Sequence, residues 1–442
     1  MPLQTPSSSK TIFLDQPPSC LQFCPASPNN FVVGTYLLSE TKDSETDTIQ
    51  QTKTGSLQLW NLNPENDELT KTTIYPIPAA VFDLHFHPRN PNILGIATSA
   101  GAVSLFSVSE DKFTHLWTRN VHEDPSIPAL FLAWMPETWI SGLEGQGNRD
   151  GFAVTFSDGR TGVFGIDADS LTSNHEKSGD EDDDGEDLIK ELGTFNAKDP
   201  IEVWYVAVAS YPDYSPGTAS EHKAENYTPY LFTGNDFGTL HTRRFPDFQS
   251  KHSSQPGDLS FEDEEEILAP ILSIDDKSRH HSAGVTSILP LPIPLSLSGG
   301  APLLLTGSYD ESLRVYHAQG RGSVLGELGL GGGVWRLQIL RASIGTFSAG
   351  GEEKSGEGEG IWTFLVLASC MHGGTRVVRV TITIAEGEGE PGVEIEVLAE
   401  FREHESMNYA SDVWRPEGNG SELRIVSSSF YDRRVCVWRV QV

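Results

Sequence analysis

Hydrophobic and polar residues alternate along short stretches throughout the chain, and these stretches recur in groups of three. The first stretch of a group often ends in proline, as in "VFDLHFHP" and "ALFLAWMP". A second, with small residues near its end, follows, as in "NILGIATSA" and "LLLTGSYD". A turn residue, often glycine or aspartate, then leads into a third that ends on a bulky residue, as in "AGAVSLF" and "DRRVCVW". Alternation with a period of two predicts half-buried β-strands.

The three-strand group is repeated seven times. Its third stretches are Thr54–Trp60, Ala100–Phe106, Asp158–Phe164, Phe237–Arg243, Asp310–Tyr316, His372–Val378 and Asp432–Trp438. An aspartate that opens this stretch, preceded by small residues as in "GSYD", is typical of the WD-repeat unit. Repeats of this kind form the blades of a ring. The sequence therefore predicts an all-β fold, a seven-bladed WD-repeat β-propeller.

The last unit supplies only three strands, and a bare strand at its edge would be open to unwanted pairing. The predicted blades span residues 16–62, 78–108, 127–167, 199–246, 281–318, 331–384 and 396–442. Ahead of them lies one isolated apolar stretch, "TIFLD", at Thr11–Asp15. We expect residues 11–15 to pair with the last blade, so that an N-terminal strand closes the ring.

Charged and Gly/Ser-rich segments interrupt the repeats and account for their uneven spacing. They lie approximately at residues 40–53, 168–190, 248–268, 343–360 and 385–393. Such compositions bury too little apolar surface to order themselves. We expect these inserts to be disordered loops.

The chain carries 62 acidic and 31 basic side chains, a formal net charge of −31. This balance argues against direct nucleic-acid binding, which needs a basic face. It is compatible with a cationic substrate or a basic partner, although acidity also serves solubility alone.

Other bulk features concern redox chemistry and compartment. The four cysteines include no C-x-x-C pair, so neither a disulfide framework nor a zinc ribbon is indicated. The N-terminus lacks an apolar signal region, and prolines interrupt the longest apolar stretch, which excludes a membrane helix there. We expect a cytoplasmic protein without a membrane association.

Several runs in the second half are more specific than the repeat. These are "GGGVWRL", "ASCMHGG", "HESMNYASDVW" and "SSSFYDRRVCVW", in this order. Together they resemble the diphthine methyltransferase family, whose members are WD-repeat methylesterases of diphthamide biosynthesis. The resemblance implies hydrolysis, without a cofactor, of the methyl ester of methylated diphthine on elongation factor 2 as the partner protein. The alternative is a non-catalytic WD-repeat scaffold for protein–protein interaction.

Ester hydrolysis needs an activated nucleophile, a proton acceptor and donors for the oxyanion. The chain has neither G-x-S-x-G nor H-E-x-x-H, and no Cys/His cluster that would bind a metal. Water activated by a histidine or carboxylate at one mouth of the propeller channel therefore remains. His372, in "CMHGG", is either this base or a structural substitute for the turn aspartate. His404 and Asp412 would form a His–carboxylate pair if the loop between them folds back.

The substrate-binding candidates surround the same motifs. Gly331, Gly332 and Gly333 expose backbone N–H groups that either hold an oxyanion or form a plain turn between blades. Trp335 and Arg336 follow, and Trp335 either faces the quaternary ammonium group of the substrate or packs inward. Tyr309 and Tyr431 each precede a turn aspartate and either line the pocket or lie idle on the surface. For Asp158, Asp310 and Asp432 we expect a structural role in the turns.

Overall fold

The computed structural model describes residues 2–42, 49–140, 149–167, 171, 189–213, 226–246, 268–345, 360–384, 390–415 and 421–442. These residues form β-strands almost throughout, with a short α-helix, α1 (Glu137–Ile140), and a 3-10 turn at Leu295–Leu297. None of the described helices has the length and apolar character needed to cross a membrane.

The strands form seven antiparallel sheets, the blades. Before the first blade comes β1 (Ser8–Phe13). Blade 1 contains β2 (Pro18–Cys24), β3 (Ser27–Thr35), β4 (Leu37–Lys42), β5 (Ile49–Leu62) and β6 (Leu69–Ile77). Blade 2 contains β7 (Val81–Phe86), β8 (Ile93–Thr98), β9 (Ala102–Val108) and β10 (Phe113–Asn120). Blade 3 contains β11 (Ala129–Trp134), β12 (Arg149–Phe156), β13 (Arg160–Asp167) and β14 (Ile189–Asn196).

The remaining blades follow the same order. Blade 4 contains β15 (Val203–Asp213), β16 (Asn226–Asn235), β17 (Thr239–Arg244) and β18 (Leu272–Lys277). Blade 5 contains β19 (Val285–Pro290), β20 (Leu303–Ser308), β21 (Ser312–His317) and β22 (Ser323–Gly329). Blade 6 contains β23 (Arg336–Gly345), β24 (Gly360–Ser369), β25 (Thr375–Ile384) and β26 (Gly392–Phe401). Blade 7 contains β27 (Asn408–Trp414), β28 (Glu422–Ser429) and β29 (Arg434–Gln441), and its fourth strand is β1.

The first strands of the blades contact one another in a closed circuit, in which β2 touches both β7 and β27. Strand β1 pairs with β29, with Thr11 opposite Cys436 and Ile12 opposite Val435. The chain is a seven-bladed β-propeller closed by an N-terminal strand, which confirms the predicted fold. The closing strand begins at Ser8 and ends at Phe13, somewhat earlier than the predicted stretch.

The predicted blade ranges differ from the sheets at their outer strands. Strands β6, β10, β14, β18 and β22 fall wholly outside these ranges, and residues 396–401 belong to β26 of blade 6. The reason is exposure. An outermost strand buries few residues, as β6 and β22 show, so fewer of its positions are apolar and its sequence alternates less clearly.

Parts of the predicted disordered inserts are ordered strands. Leu37–Lys42 pairs with the start of β5. The described residues on the two sides of the first insert therefore form a two-stranded ribbon. The prediction of disorder is wrong in three other inserts as well. Strands there include residues 189–190, 343–345, 360 and 392–393. The backbone hydrogen bonds of these pairings order residues that bury little side-chain surface. Most of the remaining insert residues lie outside the described part of the chain.

A buried carboxylate, that of Asp67, forms polar contacts between the first blade and the last. Asp67 accepts a hydrogen bond from Ser9 at 2.7 Å, and its oxygens lie 3.0 Å from Arg424 Nε and 2.9 Å from Arg439 Nη2. Burial acts to raise the pKa of Asp67, but Arg439, Ser9 and Arg424 outweigh it and hold the pKa below its usual value. Asp67 therefore joins β1, β28 and β29 to the loop after β5.

We expect Asp67→Asn to lower the free energy of unfolding at pH 7 by about 3 kcal/mol, because it leaves the buried Arg424 without its anion. Since the folded-state pKa is depressed, this contribution is present above the unfolded pKa of about 4 and is lost as pH falls through the folded value. Urea unfolding measures both effects. Glu422→Gln removes an exposed partner of Arg439 and is the matched control. Equal stability of the two variants would contradict the proposed role of Asp67.

A bulge at the start of the inner strands sets the direction of the side chains around the channel. In six of the seven inner strands the pairing register skips the second residue, as between Val81 and Asp83 or between Val203 and Tyr205. A bulged residue is re-aimed away from the regular pleat. The bulged residues are Ser19, Phe82, Leu130, Trp204, Thr286 and Tyr409, and Trp335 holds the corresponding place before β23.

Candidate ligand-binding site at the channel mouth

Aromatic side chains gather on the face of the ring that carries the turns between the second and third strands, which we call the upper face. Trp335 lies at their centre. Its ring centroid is 5.1 Å from that of Tyr409, 5.6 Å from Trp204 and 5.9 Å from Tyr309. These rings come from four successive blades, 4, 5, 6 and 7, so the cluster is formed by contacts between blades.

The contacts continue around the mouth. Tyr409 touches Phe430, which touches both Tyr431 and Tyr36, and Tyr36 touches Phe82. The aromatic cluster comprises Tyr36, Phe82, Trp204, Tyr309, Trp335, Tyr409, Phe430 and Tyr431. Tyr431 is 69% exposed and the others are half-buried, so each of these side chains is partly accessible to solvent. The sequence prediction named Tyr309, Trp335 and Tyr431 and missed the others.

Carboxylates lie next to the rings. Trp204 Nε1 donates a hydrogen bond to Asp236 Oδ1 at 2.7 Å. Burial raises the pKa of Tyr309 above its usual value, and the negative charges of Asp236 and Glu202 add to this shift. Burial likewise raises the pKa of Tyr409. The phenols are therefore neutral at physiological pH, and the mouth combines π-faces with negative charge, a setting that favours a cation.

Arg336 lies directly beneath the cluster. Its guanidinium carbon is 4.7 Å from the ring centroid of Trp335, 4.8 Å from that of Phe131 and 5.5 Å from that of Tyr205. Nη1 donates to the carbonyl oxygens of Thr286 and of Trp335 itself. The side chain thus reaches from blade 6 towards the inner strands of blades 3, 4 and 5.

A histidine and a carboxylate lie on β7, the inner strand of blade 2. His85 Nε2 lies 2.9 Å from Asp83 Oδ2, and Asp83 Oδ1 lies 3.8 Å from Arg336 Nη2. Asp83 is buried, whereas the His85 side chain is 35% exposed. Asp83, Tyr205 and Arg336 hold the same place, just after the bulge, in their respective strands. The sequence prediction named Arg336 but neither Asp83 nor His85.

Comparison with solved structures agrees with the propeller. A chain in the crystal structure of the mitotic checkpoint complex matches with a TM-score of 0.50 at 14% identity, covering 99% of this chain and 93% of that one. Sqt1 of Saccharomyces cerevisiae matches with a TM-score of 0.50 at 10% identity, covering 99% and 100%. At these identities the likeness bears on the fold alone. No protein-family model matches the chain.

Sequence comparison with curated proteins gives information beyond the fold. Diphthine methyltransferase of Schizosaccharomyces pombe (strain 972) is 30% identical over 159 residues. This chain resembles the diphthine methyltransferase family. The matched stretch is 36% of this chain and 38% of the length of that relative. The resemblance to this family is thereby confirmed over a stretch of that length.

The triple glycine of the family-like motif packs against protein. A Cβ added at Gly332 would lie 2.2 Å from the Cys370 carbonyl oxygen, and one at Gly333 would lie 2.8 Å from Met371 Sδ. Gly331 has φ +75°, which favours glycine. The glycines let the chain before β23 pass close to the turn between β24 and β25. This packing accounts for the three glycines without a ligand.

His372 lies in the turn between β24 and β25, away from the aromatic rings. Its side chain is 56% exposed, and Nε2 lies 3.4 Å from Glu311 Oε1 in the neighbouring blade. Among the described residues it contacts no ring of the aromatic cluster. The structure thus places His372 on the upper face without joining it to Arg336 or His85.

The predicted His404–Asp412 pair does not form. His404 Nε2 lies 2.8 Å from Ser427 Oγ, which also accepts a hydrogen bond from Trp438 Nε1. Asp412 instead accepts hydrogen bonds from the Phe23 amide and from Gln338 Nε2. The carboxylate joins blade 7 to blades 1 and 6, while the imidazole belongs to the interior of blade 7. Burial lowers the pKa of His404 to about 4 and raises that of Asp412.

The turn aspartates accept hydrogen bonds from their own turns and from the loops that precede the inner strands of their blades. Asp310 accepts from the amides of Ser282 and Ser312, and its Oδ1 also accepts from Arg314 Nη1 at 2.8 Å. Asp432 accepts from the Glu405 amide and Asp158 from the Arg160 amide. These contacts satisfy turn donors, in keeping with a structural role. Among the described residues, no three His, Cys, Asp or Glu side chains are grouped as they would be to bind a metal.

Two buried histidines, His281 and His404, should make the free energy of unfolding depend on pH. Burial lowers the pKa of His281 and of His404 to about 4, against about 6.5 in an unfolded chain. Between these values the unfolded chain binds protons that the folded protein does not. Each histidine should therefore lower the free energy of unfolding by on the order of 1 kcal/mol between pH 7 and pH 5.

The measurement is urea unfolding at both pH values for the wild type and for the double variant His281→Gln/His404→Gln. The variant should be less stable at pH 7, because contacts of both imidazoles are lost, and its stability should change less between pH 7 and pH 5. If the stability difference between pH 7 and pH 5 is the same in the variant as in the wild type, these two imidazoles do not cause the pH dependence.

Proposed function

We propose that this protein hydrolyses the methyl ester of methylated diphthine on elongation factor 2, acting in the cytoplasm. The observation that carries the proposal is the aromatic cluster at the channel mouth, with Asp236 and Glu202 beside it. The methylated diphthine side chain bears a trimethylammonium group. Such cations bind to the faces of aromatic rings, Trp above all. The 30% identity to a diphthine methyltransferase supports the same substrate.

The chemistry requires the addition of one water molecule. Its oxygen bonds to the ester carbonyl carbon, and the bond from that carbon to the methoxy oxygen breaks. Methanol leaves with one proton of the water, and the other proton is taken up by a base, leaving a carboxylate. His85, whose Nε2 lies 2.9 Å from Asp83 Oδ2, is the base that we propose. A positioned general base contributes about 100- to 10,000-fold to such a rate.

The test is incubation of the purified protein with elongation factor 2 that carries methyl-esterified diphthine, without any methyl donor. Mass spectrometry of the modified peptide should show the loss of one methylene, and methanol should accumulate in equal amount. Elongation factor 2 carrying the unesterified side chain is the control and should keep its mass. An unchanged ester would contradict hydrolysis and favour the scaffold role, and a gain of mass on adding a methyl donor would favour methyl transfer.

His85 has its own prediction. His85→Gln should lower kcat at least tenfold at pH 7 while leaving KM within about twofold, because the aromatic cluster is untouched. The control is His115→Gln, on the outer strand of the same blade. Full turnover by the His85 variant would remove this residue from the mechanism without affecting the assignment of the substrate.

A further inference from the structure

The guanidinium of Arg336 is only partly used by the protein. Nη1 donates two hydrogen bonds to backbone carbonyls, but Nη2 reaches Asp83 only at 3.8 Å, beyond hydrogen-bonding distance. Among the described residues, Nε and Nη2 have no closer acceptor. The side chain is 19% exposed, so solvent reaches it. Arg336 therefore offers unused donors at the base of the mouth.

The surroundings define the acceptor that fits these donors. Three aromatic rings, those of Trp335, Phe131 and Tyr205, flank the guanidinium and hold it in place. Asp83 offsets part of its charge, so a doubly charged phosphate is a poor match. A single carboxylate or an ester carbonyl accepts hydrogen bonds from one guanidinium edge. Between these two classes of ligand, a carboxyl group matches the donors of Arg336 better than a phosphate does.

The cation and carboxyl sites lie close together. Arg336 Cζ is 4.7 Å from the Trp335 ring centroid, and Tyr409, Trp204 and Tyr309 surround the same indole. A ligand whose cation contacts the aromatic cluster and whose carboxyl group reaches the donors of Arg336 therefore needs only a short chain of atoms between the two groups. A quaternary ammonium alone would meet the positive charge of Arg336 without an intervening anion.

We propose that Arg336 binds the carboxyl oxygen of an α-trimethylammonio ester or carboxylate whose cation lies on the aromatic cluster. The site then recognises the two groups as a unit, and it holds the ester before hydrolysis and the carboxylate after it. This inference rests on the proposed function for its natural ligand, but the binding geometry is testable without turnover.

Calorimetric titration with two small probes tests the inference. Glycine betaine carries both groups, and tetramethylammonium carries the cation alone. The wild type should bind glycine betaine at least tenfold more tightly than tetramethylammonium. Arg336→Gln should lose this preference through weaker binding of glycine betaine, with binding of tetramethylammonium unchanged or stronger. Trp335→Ala should weaken the binding of both probes.

The controls separate this inference from protein damage and from the proposed function. Arg379→Gln, on the surface of the same blade, should behave like the wild type, and thermal melts should show that each variant is folded. Equal affinity of the wild type for both probes, or a preference that survives in Arg336→Gln, would overturn the inference. If glycine betaine binds as expected but the esterified elongation factor is not hydrolysed, the inference stands and the proposed reaction fails.

Discussion

Deletion of residues 2–13 should destabilise the protein by on the order of 5 kcal/mol, because the backbone hydrogen bonds of β1 are lost and the edge of β29 is exposed. Strand β29 contains Val435, Val437 and Trp438, whose side chains are fully buried. The deletion also removes Ser9 from the Asp67 cluster. For a chain of this size we expect a fall in the unfolding temperature of about 5–10 °C, measured by differential scanning calorimetry.

A matched control separates strand pairing from surface effects. Phe13→Ser alters an exposed side chain of the same strand without removing its backbone, and it should leave the unfolding temperature nearly unchanged. A synthetic peptide of residues 2–16, added to the truncated protein, should restore part of the loss. If the truncated protein melts like the full chain, pairing of β1 with β29 does not close the ring.

Replacement of Trp335 with alanine should lower kcat/KM for the methyl ester by about 10- to 100-fold, since it removes the ring at the centre of the aromatic cluster. The effect exceeds that of one lost cation–π contact because Trp204, Tyr309 and Tyr409 all pack against this indole. Trp335→Phe retains a ring and should lose less. Hydrolysis at the wild-type rate by a folded Trp335→Ala variant would show that the substrate binds elsewhere.

The fold was predictable because its signal is local. Residues of the inner, second and third strands are mostly buried, as every residue of β8, β20 and β21 is, so these strands are rich in apolar residues. Bulky terminal residues such as Trp60 and Trp438 mark the end of the third strand in most blades. The outer strands were missed because their exposed faces weaken the alternation, as along β6. Closure was predictable for a different reason, since the last blade lacked a strand and only one isolated apolar stretch was left to supply it.

The site was predictable only in part because its members meet across blades. Tyr309, Trp335 and Arg336 were found through their motifs. Trp204 and Tyr409 were missed although they hold the position equivalent to Trp335, because the bulge that defines this position appears only in the pairing register. Comparison of the second residue of every inner strand would have revealed them.

The sequence predicted a His404–Asp412 pair that does not form and missed the Asp83–His85 pair that does, and both errors have the same physical cause. His404 and Asp412 are near in sequence, but each side chain finds its partner elsewhere, in Ser427 and in the Phe23 amide. Asp83 and His85 lie on one strand, yet their position beside Arg336 of blade 6 follows only from the closed ring. Sequence distance is a poor guide to contacts across a channel.

The most direct test of the account asks where a trimethylammonio ester binds. The protein is labelled with 5-fluorotryptophan, its resonances are assigned with Trp335→Phe and Trp204→Phe variants, and glycine betaine methyl ester is added while fluorine NMR spectra are recorded. The account predicts that the resonances of Trp335 and Trp204 shift in a saturable manner, while that of Trp438, buried within blade 7, stays in place. Saturable shifts confined to other tryptophans would contradict binding at the channel mouth.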